Sequence, residues 1–150
     1  MGRWAASGRP RPRRCAVDAQ TAAVADSIAI RELSARYNFA IDEGRVEEWA
    51  ATFAEGGTFE SALLGTHTGS EALLEFGKGY SAAFTGRHCT TDHVVDLDGD
   101  RAHQRCYLVL VNNDGGCRVS TTAVYEDDLV RTADGWRFVH RRVVPDTALH

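Results

Sequence analysis

The periodicity of the chain changes at Gly86, and that change constrains its fold class more than any other feature. Before it, apolar residues recur at spacings of three and four. After it come runs rich in Val, Thr, Tyr, Phe and Leu over 88–97, 101–112, 117–131 and 135–144. Asp98-Gly99, Asn113-Asp114-Gly115-Gly116 and Asp134-Gly135 separate the runs, and such residues accept the positive φ of tight hairpins. The second half therefore reads as a meander of four antiparallel strands behind a helical first half, an α+β chain.

In the first half, Asp26 is placed to cap a helix whose apolar face is Ile30, Leu33, Tyr37, Ala40 and Ile41. Glu43-Gly44-Arg45 breaks it. A short second helix through Val46, Trp49, Ala50 and Phe53 runs to Gly56-Gly57, and residues 58–61 form a short strand. Gly69-Ser70 opens a third helix, with Ser70 as its cap and Ala72, Leu73, Phe76 and Tyr80 along one side. A strongly twisted antiparallel sheet wrapped around three such helices curls into a cone with a pocket inside.

At 150 residues the chain makes one domain. Residues 1–25 read as a disordered basic leader and 26–150 as the folded part. Arg3, Arg9, Arg11, Arg13 and Arg14 fall in a stretch without acids, interspersed with Gly, Pro and Ala. That composition suits a solvated arm better than a nucleic-acid-binding surface. No run approaches the roughly 18 apolar residues of a membrane span, and no secretory signal is evident, so a cytoplasmic protein is expected. Cys15, Cys89, Cys106 and Cys117 lack paired C-x-x-C spacing and read as free thiols. A hairpin centred near Asp114 would put Cys106 opposite residues 121 and 122, away from Cys117.

Two segments carry candidate chemistry. Tyr37-Asn38-Phe39-Ala40-Ile41-Asp42 closes the first helix, and Arg87-His88-Cys89-Thr90-Thr91-Asp92-His93 opens the strand-rich half. A carboxylate and an imidazole facing one apolar pocket can perform general acid–base catalysis, because histidine changes charge near neutral pH. The carbonyl end of the helix would disfavour an anion at Asp42. Other polar residues have plainer readings. His93 and His140 read as structural, His67 as a loop residue, and Asp127, Asp128 and Arg131 as solvated strand ends. His88, His93 and His103 form no recognisable ligand set, so no metal is expected. Asp98-Gly99-Asp100 lacks the further oxygens of a calcium loop, and Gly77-Lys78-Gly79 lacks P-loop context.

Four segments together resemble the SnoaL-like family of the nuclear transport factor 2-like superfamily: 30–53, 86–102, Y-E-D-D-L-V-R-T at 125–132 and D-G-W-R-F-V-H-R-R-V at 134–143. The resemblance implies a cystatin-like α+β barrel with a conical apolar pocket, usually in a homodimer or homotrimer. It is nearest to scytalone dehydratase and bile acid dehydratase, where a tyrosine and an aspartate lie five apart and a histidine begins the long-strand region. Tyr37, Asp42 and His88 take those places, whereas the second histidine of scytalone dehydratase falls near Arg105 or Cys106; His103 is two or three residues away, and on a strand an offset of one residue would point it to the other face.

The implied activity is a cofactor-independent dehydratase or isomerase acting on a small apolar ring compound, such as a polyketide, steroid or aromatic intermediate. Trp49, Phe53, Phe59 and Phe76 are the candidate substrate-binding residues. The alternatives are a non-catalytic binding or interaction module and an epoxide hydrolase.

Overall fold

The computed structural model describes residues 16–146. Three helices, α1 (Ala16–Asp42), α2 (Val46–Ala50) and α3 (Ser70–Ala83), lie against six strands. The strands are β1 (Phe53–Ser61), β2 (Gly65–Thr68), β3 (Gly86–Asp98), β4 (Arg101–Asn112), β5 (Arg118–Thr132) and β6 (Gly135–Pro145). They form one curved sheet in the order β2-β1-β6-β5-β4-β3. β2 and β3 are its two edges, so the sheet remains open where a barrel was expected. Nor is it wholly antiparallel, because β1 runs parallel to β6.

The helical face expected from spacing is the buried one: Ile30, Leu33, Tyr37, Ala40 and Ile41 are each less than a tenth exposed. The helix begins at Ala16, ten residues before the expected cap. Asp26 lies inside it and instead accepts hydrogen bonds from Arg131 Nη1 at 2.7 Å and Trp136 Nε1 at 3.2 Å, tying α1 to β5 and β6. Residues 1–15, and with them Cys15 and the five arginines, lie outside the described residues. At its other end α1 closes in a Schellman motif, with Gly44 at φ 71° and bonds from Arg45 N to the Ala40 carbonyl and from Gly44 N to that of Ile41.

Several boundaries differ from the expectation. Phe53 begins β1 instead of extending α2, and Gly56-Gly57 sits in an irregular part of that strand. Leu63 and Leu64 lie at the tip of the β1–β2 hairpin, and His67, expected in a loop, lies on β2. Gly69, at φ 82°, takes the cap position expected for Ser70. Gly77 of α3 approaches α2 closely, since a Cβ there would meet Val46 Cγ1 at 2.7 Å. Cys106 pairs with Tyr125, further along β5 than expected.

Strand bulges decide which side chains face inward. In β3 the register slips between Thr91 and Val94, where Asp92 adopts φ 55°. One extra residue reverses the alternation, so His88 and Thr90 face inward before the bulge and His93, Val95 and Leu97 after it. A second slip between Asp128 and Leu129 opposite His140 and Phe138 turns both Phe138 and Arg141 inward.

Arg141 and Asp127, both fully buried, form a bidentate pair with Nε–Oδ1 and Nη2–Oδ2 each at 2.8 Å. This corrects the reading of Asp127 as a solvated strand end: the period of β5 points it inward with Ala123, Tyr125 and Leu129. Gln104 Nε2 donates to Asp127 Oδ2 and to Ser34 Oγ, and its Oε1 meets His93 Nδ1. The guanidinium is stacked among rings, with Cζ 4.3, 4.1 and 4.0 Å from the centres of Tyr37, Tyr125 and Phe138. Burial alone would lower the Arg141 pKa, but Asp127 outweighs it and holds the group charged. Asp127→Ala would leave that cation uncompensated, and a loss of about 3–5 kcal/mol is expected from urea denaturation. Replacing both partners by apolar residues is expected to recover most of it.

Candidate active site

The site begins with the spacing of polar residues on α1. Ser34, Asn38 and Asp42 are four apart and share one face, and each meets a polar partner on the sheet. Ser34 receives Gln104, Asn38 Nδ2 donates to Thr90 Oγ1 at 3.0 Å, and Asp42 meets His88. Asp42 is the last helical residue. Its nearest carbonyls are already engaged by the Schellman bonds, and that of Ile41 also accepts from Ser81 Oγ at 3.3 Å. The bare carbonyl end expected beside Asp42 is therefore capped.

Asp42 grips His88 twice. Its Oδ1 lies 2.5 Å from Nδ1 of the ring, and its Oδ2 accepts the His88 backbone N–H at 2.9 Å. Both side chains are nearly buried, at 4% and 7% exposure. A carboxylate facing Nδ1 assigns the proton of the neutral ring to that nitrogen, which leaves Nε2 as an acceptor. The Tyr80 hydroxyl lies 3.3 Å from Nε2.

Nε2 opens towards a cavity of about 390 Å³ between the helices and the concave face of the sheet. Tyr37, Ile41 and Trp49 form one wall, and Phe76 and Tyr80 of α3, with Phe84 just past its end, a second. Leu108, Leu110, Tyr125 and Val143 form the sheet side, while Leu63 and Leu64 come from the hairpin tip. Ser61, Ser120 and Thr121 add hydroxyls, and none of the lining residues is Asp, Glu, Lys or Arg. A second cleft of about 480 Å³ between α1, α2 and β6 holds Arg36, Arg45, Glu48 and Arg137, and its lining includes neither Asp42 nor His88.

Of the expected residues, the structure brings Asp42 and His88 into contact and places Tyr37, Trp49, Phe59 and Phe76 on the cavity wall. Phe53 is the exception. It is absent from the lining and packs in the core, its ring centre 5.4, 6.0 and 5.7 Å from those of Trp49, Tyr37 and Phe138. The cause is its place in β1 instead of on α2. Burial raises the Tyr37 pKa, opposed by Arg141 and by a hydrogen-bonding influence of Trp49. Its ring lies against both groups, with Arg141 Cζ 4.3 Å from its centre and the Trp49 ring centre 5.6 Å away, and Trp49 Nε1 and Arg141 Nη1 have no hydrogen-bond partner among the described residues.

Sequence reasoning did not assign Tyr80 or Arg141 to the site. The available signal for Tyr80 was its place one turn after Phe76 on one face of α3, followed by Phe84 just past the helix and then by His88. His103 is exposed and meets Asp128, and His140 meets Glu60. Of Arg105 and Cys106, Cys106 is the one turned inward on β4, and burial pushes its thiol up to about 12. Among the described residues, no group of three or more His, Cys, Asp or Glu side chains is arranged to hold a metal, and no helix is long and apolar enough to cross a membrane.

A description of the SnoaL-like domain matches residues 22–142, most of the chain. The chain belongs to the SnoaL-like family. Members of that family include polyketide cyclases and dehydratases. The uncharacterized protein Rv2910c of Mycobacterium tuberculosis is 28% identical over 128 residues, covering 80% of this chain and 85% of its own. Among solved structures, Rv3472 of Mycobacterium tuberculosis, of unknown function, is 31% identical with a TM-score of 0.80, over 89% of this chain and 78% of that one. A nuclear transport factor 2-like protein of Novosphingobium aromaticivorans with a cystatin-like fold is 26% identical with a TM-score of 0.80, over 88% and 90%. The family accounts for the cone and its cavity; the chemistry rests on the side chains inside.

The Asp42 contact makes a spectroscopic prediction. Long-range proton–nitrogen NMR is expected to find His88 as the Nδ1–H tautomer in the wild type. In Asp42→Asn a mixture of tautomers is expected, because an amide presents a donor as readily as an acceptor.

Proposed function

We propose that this protein is a cofactor-independent lyase or isomerase acting by acid–base chemistry on a small apolar ring compound that carries oxygen, such as a polyketide, steroid or aromatic intermediate. The observation that carries the reading is a proton-accepting imidazole nitrogen, oriented by a buried carboxylate, at the edge of a cavity without formally charged Asp, Glu, Lys or Arg in its lining. A volume of about 390 Å³ suits a ligand of a few fused rings.

In this scheme His88 Nε2 takes a proton from a carbon next to a carbonyl. Asp42 keeps the ring in the required tautomer and stabilises the imidazolium that forms. Tyr37, set beside Arg141 and Trp49, donates to a substrate oxygen inside the cavity. The proton on Nε2 then passes to a departing hydroxyl, which leaves as water, or to another carbon, which moves the double bond. The same pair of groups serves both outcomes, and the ligand decides between them. Aromatic walls from Trp49, Phe59 and Phe76 hold the ring plane.

The test is turnover of a panel of hydroxylated ring ketones. His88→Ala and Asp42→Asn are each expected to lower kcat by about 10²-fold or more, with circular dichroism unchanged. Turnover that is indifferent to both substitutions would leave ligand holding, without chemistry, as the function of the cavity.

A further inference from the structure

We propose that Tyr80 is a further catalytic residue of this cavity: its hydroxyl donates to the ligand's carbonyl oxygen, two bonds from the carbon that His88 deprotonates. The inference rests on the acid–base reading above and assigns to α3 a role beyond packing.

Position is the first argument. Tyr80 is the side chain whose hydroxyl reaches Nε2, at 3.3 Å, while Nδ1 on the other side of the ring is taken by Asp42. Removing a proton beside a carbonyl moves the electron pair onto the carbonyl oxygen, two bonds from the carbon attacked. The donor that meets this oxygen must therefore lie next to the base, and Tyr80 does. Tyr37 is held elsewhere, its ring against Trp49, Tyr125, Phe138 and the Arg141 guanidinium.

Geometry is the second. A separation of 3.3 Å is long for a hydroxyl hydrogen bond, whose usual range ends near 3.0 Å. Such a bond is readily exchanged for one to a ligand. Tyr80 caps Nε2, and on ligand binding its hydroxyl turns to the ligand oxygen and uncovers the base. The ring itself is held by Phe76 of α3 and by Phe84 just past its end, centred 5.7 and 5.3 Å away.

Protonation is the third. Burial, with contributions from Tyr37 and Asp42, raises the Tyr80 pKa. The group therefore stays a donor throughout the neutral range. It stabilises the developing oxyanion by a hydrogen bond and keeps its own proton. The carbon–hydrogen bond breaks, its proton goes to Nε2, and its electrons form the enolate double bond. When the enolate collapses, the proton on Nε2 is returned to carbon or leaves with hydroxide as water, and the site is restored without any co-reactant.

An enol-like probe tests this. 2-Naphthol carries an oxygen where an enolate would, and naphthalene lacks it. Affinities of both for the full chain are measured by fluorescence in the wild type, Tyr80→Phe and His88→Ala. The wild type is expected to prefer 2-naphthol about tenfold, and Tyr80→Phe to lose roughly fivefold of that preference while binding naphthalene as before. Equal weakening for both probes in Tyr80→Phe would show a packing role and overturn the proposal. Retention of the preference in Tyr80→Phe with its loss in His88→Ala would overturn the role of Tyr80 and leave the acid–base reading standing. A wild type with no preference, or a preference that survives both substitutions, would overturn both.

Discussion

The bidentate contact between Asp127 and Arg141 is the constraint around which the interior is arranged. Two charges buried beneath an apolar cone are tolerable only when each oxygen and nearly every nitrogen finds a partner. Gln104 donates to the carboxylate, Ser34 Oγ accepts from Arg141 Nη2, and three aromatic rings enclose the guanidinium. Ser34 brings α1 to a set height on the sheet. With that height given, the residues four and eight positions further along the same helix face arrive at Thr90 and His88. The ion pair is thus remote from the proposed proton transfer yet sets the frame in which it occurs.

That frame also explains the division of the cavity. Its sheet side and α3 are almost wholly apolar, so an imidazole at the edge works in a surrounding that excludes water and strengthens local electrostatics. The polar network lies behind the aromatic wall and does not enter the lining. Tyr37 connects the two regions, with its ring in the cavity wall and over Arg141. Asp42 and His88 stand where the α1 polar stripe emerges at the cavity, which is why a carboxylate with little solvent access has a partner.

Much of the fold was legible because it depends on local chemistry. The ends of β3 to β6 follow from Gly and Asx turns, and the buried face of α1 from its three-and-four spacing. Asp42 and His88 were legible through family resemblance, since nothing local in either segment requires the two to meet across 46 positions. Phe53 was misplaced because an apolar residue after a short helix satisfies a helical period and a strand period equally well. Asp127 was misplaced because charge suggested solvent, while the alternation of β5 demanded burial and Arg141 made it tolerable.

By itself the sequence determined the class of fold, the order of most of its elements and the two segments that carry a titratable pair, because spacing and turn chemistry are properties of neighbouring residues. Only the tertiary structure decided that the sheet stays open, that β1 joins β6 in parallel, that Arg141 is buried behind the cavity wall and that Tyr80 lines the cavity. These depend on where bulges fall and on which distant side chains can satisfy one another once water is excluded. A single extra residue at Asp92 turns His93 inward and aligns it with Gln104. No local pattern encodes that choice, since it is made by the packing of α1 against the whole sheet.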